Sequence, residues 1–296
     1  MVQAVGQLTT QTQKKETNAR TLILAIIYLL HSTKQAQSTM NTLLRPTLTA
    51  GLVAVSLAAV LGSWLSRPSR IASAAETGAS AHNTLTQSER DAGWRLLFDG
   101  KSLGGWRGYK AQAAAASWKI VGSSLVSKPA AGEATGNLLT IEQFDDFELS
   151  FDWKMAPGGN SGVMYRVTEA QENPWDSGPE YQVLDNTKHL DGNNPLASAS
   201  ACYAVYPPAK DLTKPVGEWN QSRIVATGPR VEHWLNGERM VEYEVGTPSW
   251  AAHVKTSRYW ATPEWGRAEK GHFCLQDYGS ALEYRNIKVR IGARKA

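Results

Sequence analysis

Cysteine is nearly absent: the 296 residues hold two, Cys202 and Cys274. No C-x-x-C pair is available for a zinc or thiol-redox centre, and one disulfide is the most the chain can form. Two readings of the pair stay open, a bridge or two small buried thiols, because spacing does not fix whether the α-carbons approach within about 7 Å. G-x-S-x-G, H-E-x-x-H and a Walker loop are missing too, which removes a nucleophile elbow, a helical zinc site and P-loop chemistry. The glycine-rich "APGGNSG" (156–162) joins two strand-like runs and opens no helix, so it makes no phosphate cradle. Beyond residue 90 there is no long amphipathic helical pattern and no internal repeat.

A basic excess is also absent once the chain is divided. The formal charge is +4, but seven of the 31 Lys and Arg and only Glu16 of the 27 acids lie in residues 1–75. The remainder carries 24 basic against 26 acidic residues, so composition gives no support for a nucleic-acid partner.

Those early basic residues belong to an address. After Met40, Arg45 precedes the uncharged, mostly apolar stretch Pro46–Ser66, and Ala72-Ser73-Ala74 supplies a small-x-small cleavage site. We read residues 40–75 as a signal peptide and 1–39 as an over-extended start. Two alternatives are "TLILAIIYLL" (21–30) as an earlier export signal and 46–66 as a retained anchor, about 20 residues being enough to span a bilayer. No cysteine here supports lipid anchoring. The expectation is an exported protein, periplasmic or extracellular, that meets the membrane only through this segment.

Residues 76–90 read as a polar linker, leaving 91–296 as one domain of about 205 residues with room for a single core. Its texture is short alternating runs cut by Gly, Pro, Asn and Asp. In "DFELSFDWKM" Phe147, Leu149, Phe151 and Trp153 share a face opposite Glu148, Ser150, Asp152 and Lys154. Gly228-Pro229 and Asn236-Gly237 mark two hairpin turns, and the alternation breaks near Arg285-Asn286 as at a bulge. This predicts an all-β, two-sheet antiparallel sandwich with jelly-roll connections, preceded by an N-terminal segment outside the packing.

Four runs set chemistry opposite their apolar side: Asp152 and Lys154; Arg166; Glu180 and Gln182; His272 and Gln276. Gly, Met, Cys and Ala flank several of them, which predicts a hollow in which long polar groups converge. Ten of the eleven tryptophans follow residue 90. Trp175, Trp260 and Trp265 lie outside any strand pattern and are expected as exposed indoles beside polar groups, a combination suited to sugars.

The segments "LLFDGKSLGGWRG", "FELSFDWKMAPGGNSGVMYRV", "GPEYQVLDN", "ACYAVYPPAKDLTKPVGEWNQSRIV", "VEHWLNGERMVEYE" and "GHFCLQDYGSALEYRNIKV" together resemble the 3-keto-disaccharide hydrolase domain, from about Gly93 to Val289. The resemblance implies a concanavalin A-like lectin/glucanase sandwich and an exported enzyme that cleaves 3-keto-glycosides. It also implies that the family's Arg, Glu-x-Gln, His and Gln fall on Arg166, Glu180, Gln182, His233 and Gln276. Tyr278 stands where members often have His, and Cys274 where a small residue is usual.

Oxidation at C3 makes the C2 proton acidic and places the C1 oxygen β to the carbonyl. The expected roles are therefore Glu180 as base, His233 as proton donor and Arg166 as stabiliser of the enolate. Gln182, Gln276, Asp185, Trp175, Lys154 and His272 are the expected substrate contacts. No cofactor is required on this reading. A divalent cation on Glu180, Asp185 and His189 is the alternative electrophile. Two other functions stay open: a non-catalytic carbohydrate-binding module, and a conventional glycosidase using Glu180 with Asp185 or Asp152.

Overall fold

The computed structural model describes residues 82–292; the leader and start-site expectations lie outside them. A short helix α1 (Gln87–Asp91) is followed by β1 (Trp94–Leu96), β2 (Trp106–Gly108), β3 (Trp118–Val121), β4 (Ser124–Ser127) and β5 (Leu138–Thr140). The longer strands are β6 (Phe147–Met155), β7 (Asn160–Val167), β8 (Glu180–Leu184) and β9 (Asn220–Thr227). The chain closes with β10 (Arg230–Leu235), β11 (Glu238–Glu244), helix α2 (Pro248–Thr256), β12 (His272–Leu275) and β13 (Leu282–Ile291).

The strands form two antiparallel sheets. One runs β11-β10-β9-β6-β13-β4-β3, with β1 also paired to β13, and the other runs β2-β5-β12-β7-β8. Between them lies the core read from alternation: Phe147, Leu149, Phe151 and Trp153 from β6 meet Val163 and Tyr165 from β7 and Tyr181 and Val183 from β8. Each such side chain contributes about 1.5–3 kcal/mol when fully buried. Both expected hairpin turns form, with Asn236 and Gly237 at φ 49° and 90°, the left-handed pair a two-residue turn requires. The irregularity in β13 falls at Asn286, at φ 53°.

One expectation changes, one short helix was not anticipated, and of the two readings of the cysteines the buried thiols hold. The supposed linker is part of the domain from its described start. Asn83 is buried and exchanges 2.7 Å hydrogen bonds with Asn286, while a capping box between Thr86 and Glu89 starts α1. Helix α2 was not legible as an amphipathic pattern because only Trp250 is buried on it; its signal is the Thr247 N-cap followed by Pro248. The cysteines are free and buried, Cys202 in the inter-sheet core and Cys274 on the opposite face of the five-stranded sheet. No helix among the described residues is long and apolar enough to cross a membrane.

Candidate active site

Strand β8 ends the five-stranded sheet, and its alternation is unbroken. Tyr181 and Val183 go to the core, so Glu180 and Gln182 face outward beside Met164 and Gly162 of β7. Asn160 shares that face and accepts a 3.2 Å hydrogen bond from the Gln182 side-chain amide. Gln276, just beyond β12, is tied to the same place by its backbone N–H, which donates to the Gly162 carbonyl at 2.9 Å. These groups floor a cavity of about 230 Å3. That is below the roughly 300–1,000 Å3 of drug-sized sites and suits one sugar ring.

Irregular segments supply the walls: Trp175 from residues 168–179, Asp191 and Tyr203 from 185–204, Arg258 after α2, and Tyr278 after β12. Each segment is pinned. Tyr109 donates to the Gln171 carbonyl at 2.7 Å, and Arg107 pairs both oxygens of Glu169 at 2.8 and 2.7 Å, fixing the approach to Trp175. The exposed side of β8 is closed by residues 200–203: Ser200 N–H donates to Gln182, Gln182 N–H to Ala201 and Tyr203 N–H to Glu180. Arg258 is placed by an aromatic stack in which Tyr259 lies 4.0 Å from Trp265, Trp265 5.3 Å from Trp250 and Trp250 5.0 Å from Tyr243.

The Glu180 carboxyl is 3% exposed, and its Oε1 has no hydrogen-bond partner. Met164, Val167, Leu139 and Cys274 make its face of the sheet apolar, with Trp175 packed on them. Burial pushes Glu180 up to about 8, and the attraction of Arg258 opposes the shift without cancelling it. Tyr203 is likewise raised by burial, against the charge of Arg258, which lies over its ring. Larger hollows lie near Arg95 (about 500 Å3), near Asp185 (about 490 Å3) and near Trp94 (about 360 Å3). Their carboxylates Asp99, Glu142, Asp185, Asp211, Glu89 and Glu148 are already paired, to Arg or Lys side chains or to backbone N–H groups, and Glu218 is exposed.

Of the expected residues, Glu180, Gln182, Gln276 and Trp175 come together here. Arg166 does not. Tyr165 and Arg166 together oppose the single residue Phe273 of β12, a bulge with Arg166 at φ 52°, so the alternation flips. Val167 takes the cavity face, and the guanidinium turns to the carbonyls of Gly228 (2.8 Å) and Asp145 (3.2 Å), with Asp146 at 3.8 Å. Arg166→Ala is expected to lower stability by about 2–4 kcal/mol, since the charged hydrogen bonds of a buried guanidinium to the Gly228 and Asp145 carbonyls are lost. Thermal unfolding reads that loss, and a KM for substrate unchanged within about threefold accompanies it.

His233 is a core residue. Val231, His233 and Leu235 point inward together, and Nδ1–H donates to the Ser200 carbonyl at 3.0 Å while Nε2 accepts from the Tyr165 hydroxyl at 2.9 Å. Burial pulls it down to about 4, so it is neutral at physiological pH. Lys154 lies on the outer face of the other sheet, paired with Glu283 at 2.7 Å and over the Trp219 ring. His272 is on the cavity's side of the sheet but beyond its end, its Nε2 accepting from the Gln143 side-chain amide at 3.0 Å and its Nδ1–H donating to the Thr140 carbonyl at 2.7 Å.

Asp185 is bent away into a turn. Burial raises its carboxyl, but the Thr187 hydroxyl and the N–H groups of Gly158, Thr187 and Lys188 outweigh that and hold it below the ordinary value. The proposed ligand trio of Glu180, Asp185 and His189 is thus not assembled, and no other trio of His, Cys, Asp or Glu among the described residues fits a cation. Trp265 is 1% exposed inside the aromatic stack, whereas Trp260 is exposed as expected but outside the cavity.

Residues 93–290 match the 3-keto-alpha-glucoside-1,2-lyase-like domain. The chain belongs to that family. A 3-keto-disaccharide hydrolase of Bacteroides thetaiotaomicron is 31% identical over 256 residues, 74% of this chain and 88% of that protein. A crystal structure of a glycosyl-hydrolase-like protein from Parabacteroides distasonis is 30% identical with a TM-score of 0.67, covering 72% of this chain and all of the other. A second from the same organism is 25% identical with a TM-score of 0.52, covering 67% and 99%. In this 3-keto-alpha-glucoside-1,2-lyase-like chain, the residues missed by alternation are Asn160, Asp191, Tyr203 and Arg258. All but Asn160 sit on irregular segments with no period to read.

Proposed function

We propose that this carbohydrate-acting hydrolase cleaves the glycosidic bond of 3-keto-glycosides by elimination and hydration in the Glu180 cavity. The observation that carries the reading is the unpaired, buried Oε1 of Glu180 at the floor of a one-ring polar hollow walled by Arg258. Its ionised form is a strong base with few competing partners, suited to taking H2 from a ring made acidic by a C3 carbonyl. Arg258 replaces Arg166 as the charge that meets the enolate oxygen. Tyr203, kept protonated by burial, replaces His233 as the donor to the departing C1 oxygen. Water then adds at C1 and gives its proton to the tyrosinate, while Glu180 returns its proton to C2. Gln182, Gln276 and Asn160 are placed to hold ring hydroxyls.

Asp191 on the same cavity favours one other reading, a two-carboxylate glycosidase acting on unoxidised sugar. Incubating the protein with a 3-keto-glucoside and with its unoxidised parent separates the two. Release of the aglycone from the 3-keto compound alone is expected. Equal cleavage of both would replace the proposal with the glycosidase, and cleavage of neither would remove the catalytic reading altogether.

A further inference from the structure

Gly162 lies on the cavity face of β7, between Asn160 and Met164 and opposite Gln182. Its backbone is ordinary strand with negative φ, so conformational freedom does not explain a glycine there. Space does. A β-carbon added at Gly162 would stand 1.8 Å from Glu180 Oε1, 2.6 Å from Cδ and 2.7 Å from Cγ, all under the 3.0 Å that real β-carbons keep. The three nearest atoms all belong to Glu180. A glycine inside a strand weakens pairing and packs nothing, and it commonly marks a place where something else approaches closely.

We propose that Gly162 is the positioning residue for the Glu180 carboxyl, opening the niche on β7 in which the carboxyl lies flat, shielded from water and below the space a sugar ring takes. The inference rests on Glu180 being the base. Any side chain at Gly162 lifts the carboxyl into the cavity. There the groups that face it are Arg258, the one cation of the lining, with Asp191, Tyr203 and Tyr278 from the loops, while Met164 and Cys274 stay beneath it on the sheet. A lifted carboxyl is better hydrated and nearer Arg258, so both effects stabilise its charged form, and it fills part of a cavity of about 230 Å3.

The test is Gly162→Ala, alone and combined with Glu180→Ala. For the single variant, turnover of a 3-keto-glucoside is expected to fall about 10²-fold, the scale of a 1 Å misplacement. The pH midpoint of kcat/KM should also move from about 8 towards the ordinary carboxylate range. In thermal unfolding, Gly162→Ala should lower Tm by several degrees in the native background and leave it nearly unchanged in the Glu180→Ala background, where the colliding atoms are gone. Equal Tm losses in both backgrounds, or a folded Gly162→Ala protein with an unmoved pH midpoint, overturn the proposal. If Gly162→Ala does not fold alone, folding of the double variant supports the niche and its failure overturns it. The thermal cycle is independent of activity, so an error in assigning Glu180 as base shows separately, as turnover retained in Glu180→Gln.

Discussion

Glu180→Gln is expected to lower turnover of a 3-keto-glycoside by about 10²–10⁴-fold, the range a positioned general base contributes. The change conserves volume on the face of β8 away from the core, so the fold persists and KM moves little. Two pH effects accompany it. In the wild type the base acts when ionised, so kcat/KM rises with pH to a midpoint of about 8, and the variant loses that limb. Stability has the opposite slope. The folded carboxyl keeps its proton up to about 8, while the unfolded one releases it near the ordinary value of 4.5. Folding therefore weakens as pH rises through that window. The variant lacks this penalty, so its Tm should gain on the wild type between pH 5 and 8. A stable Glu180→Gln protein with turnover within a few-fold of normal would sink the assignment and leave Asp191 as the carboxylate to test.

Arg258→Met is expected to cost about 10²–10³-fold in kcat, the loss found when one preorganised stabiliser of a developing oxyanion is removed. Arg258 is exposed and outside both sheets, so Tm should change by no more than a degree or two. Its attraction holds the Glu180 pKa down, so removing it should push the pH midpoint of kcat/KM above about 8. Arg258→Lys restores charge but not the planar fork, and is expected to recover only part of the rate. Full activity in Arg258→Met would show that no cation meets the enolate in this cavity. Steady-state kinetics across pH 6–10 for the three proteins gives all of these outcomes.

How much could be read in advance depended on how regular each segment is. Glu180 and Gln182 were legible because β8 is short and unbroken, so a period of two places every side chain. The same rule misplaced Arg166, because one extra residue in β7 reverses the faces beyond it, and a bulge leaves no certain mark in a single sequence. His233 was legible and misread: Val231 and Leu235 on either side already put it inward. Lys154 obeyed alternation and still went elsewhere, since the period gives a face but not the sheet to which that face belongs. Arg258 and Tyr203 were beyond local reasoning. The stacking of Tyr259, Trp265 and Trp250 and the backbone bonds of residues 200–203 to β8 are contacts between distant parts of the chain.

Strand β8 carries the proposed base and is also the last strand of its sheet. An uncovered sheet edge is a template for another chain, and here the cover is residues 200–203, held down by His233 through the Ser200 carbonyl. The segment that shields the edge is the one that brings Tyr203 to the cavity. Lifting it takes Tyr203 away and bares a row of backbone donors and acceptors at the same moment. Inactivation and the first step of self-association are then one event, and tightening that single flap protects against both.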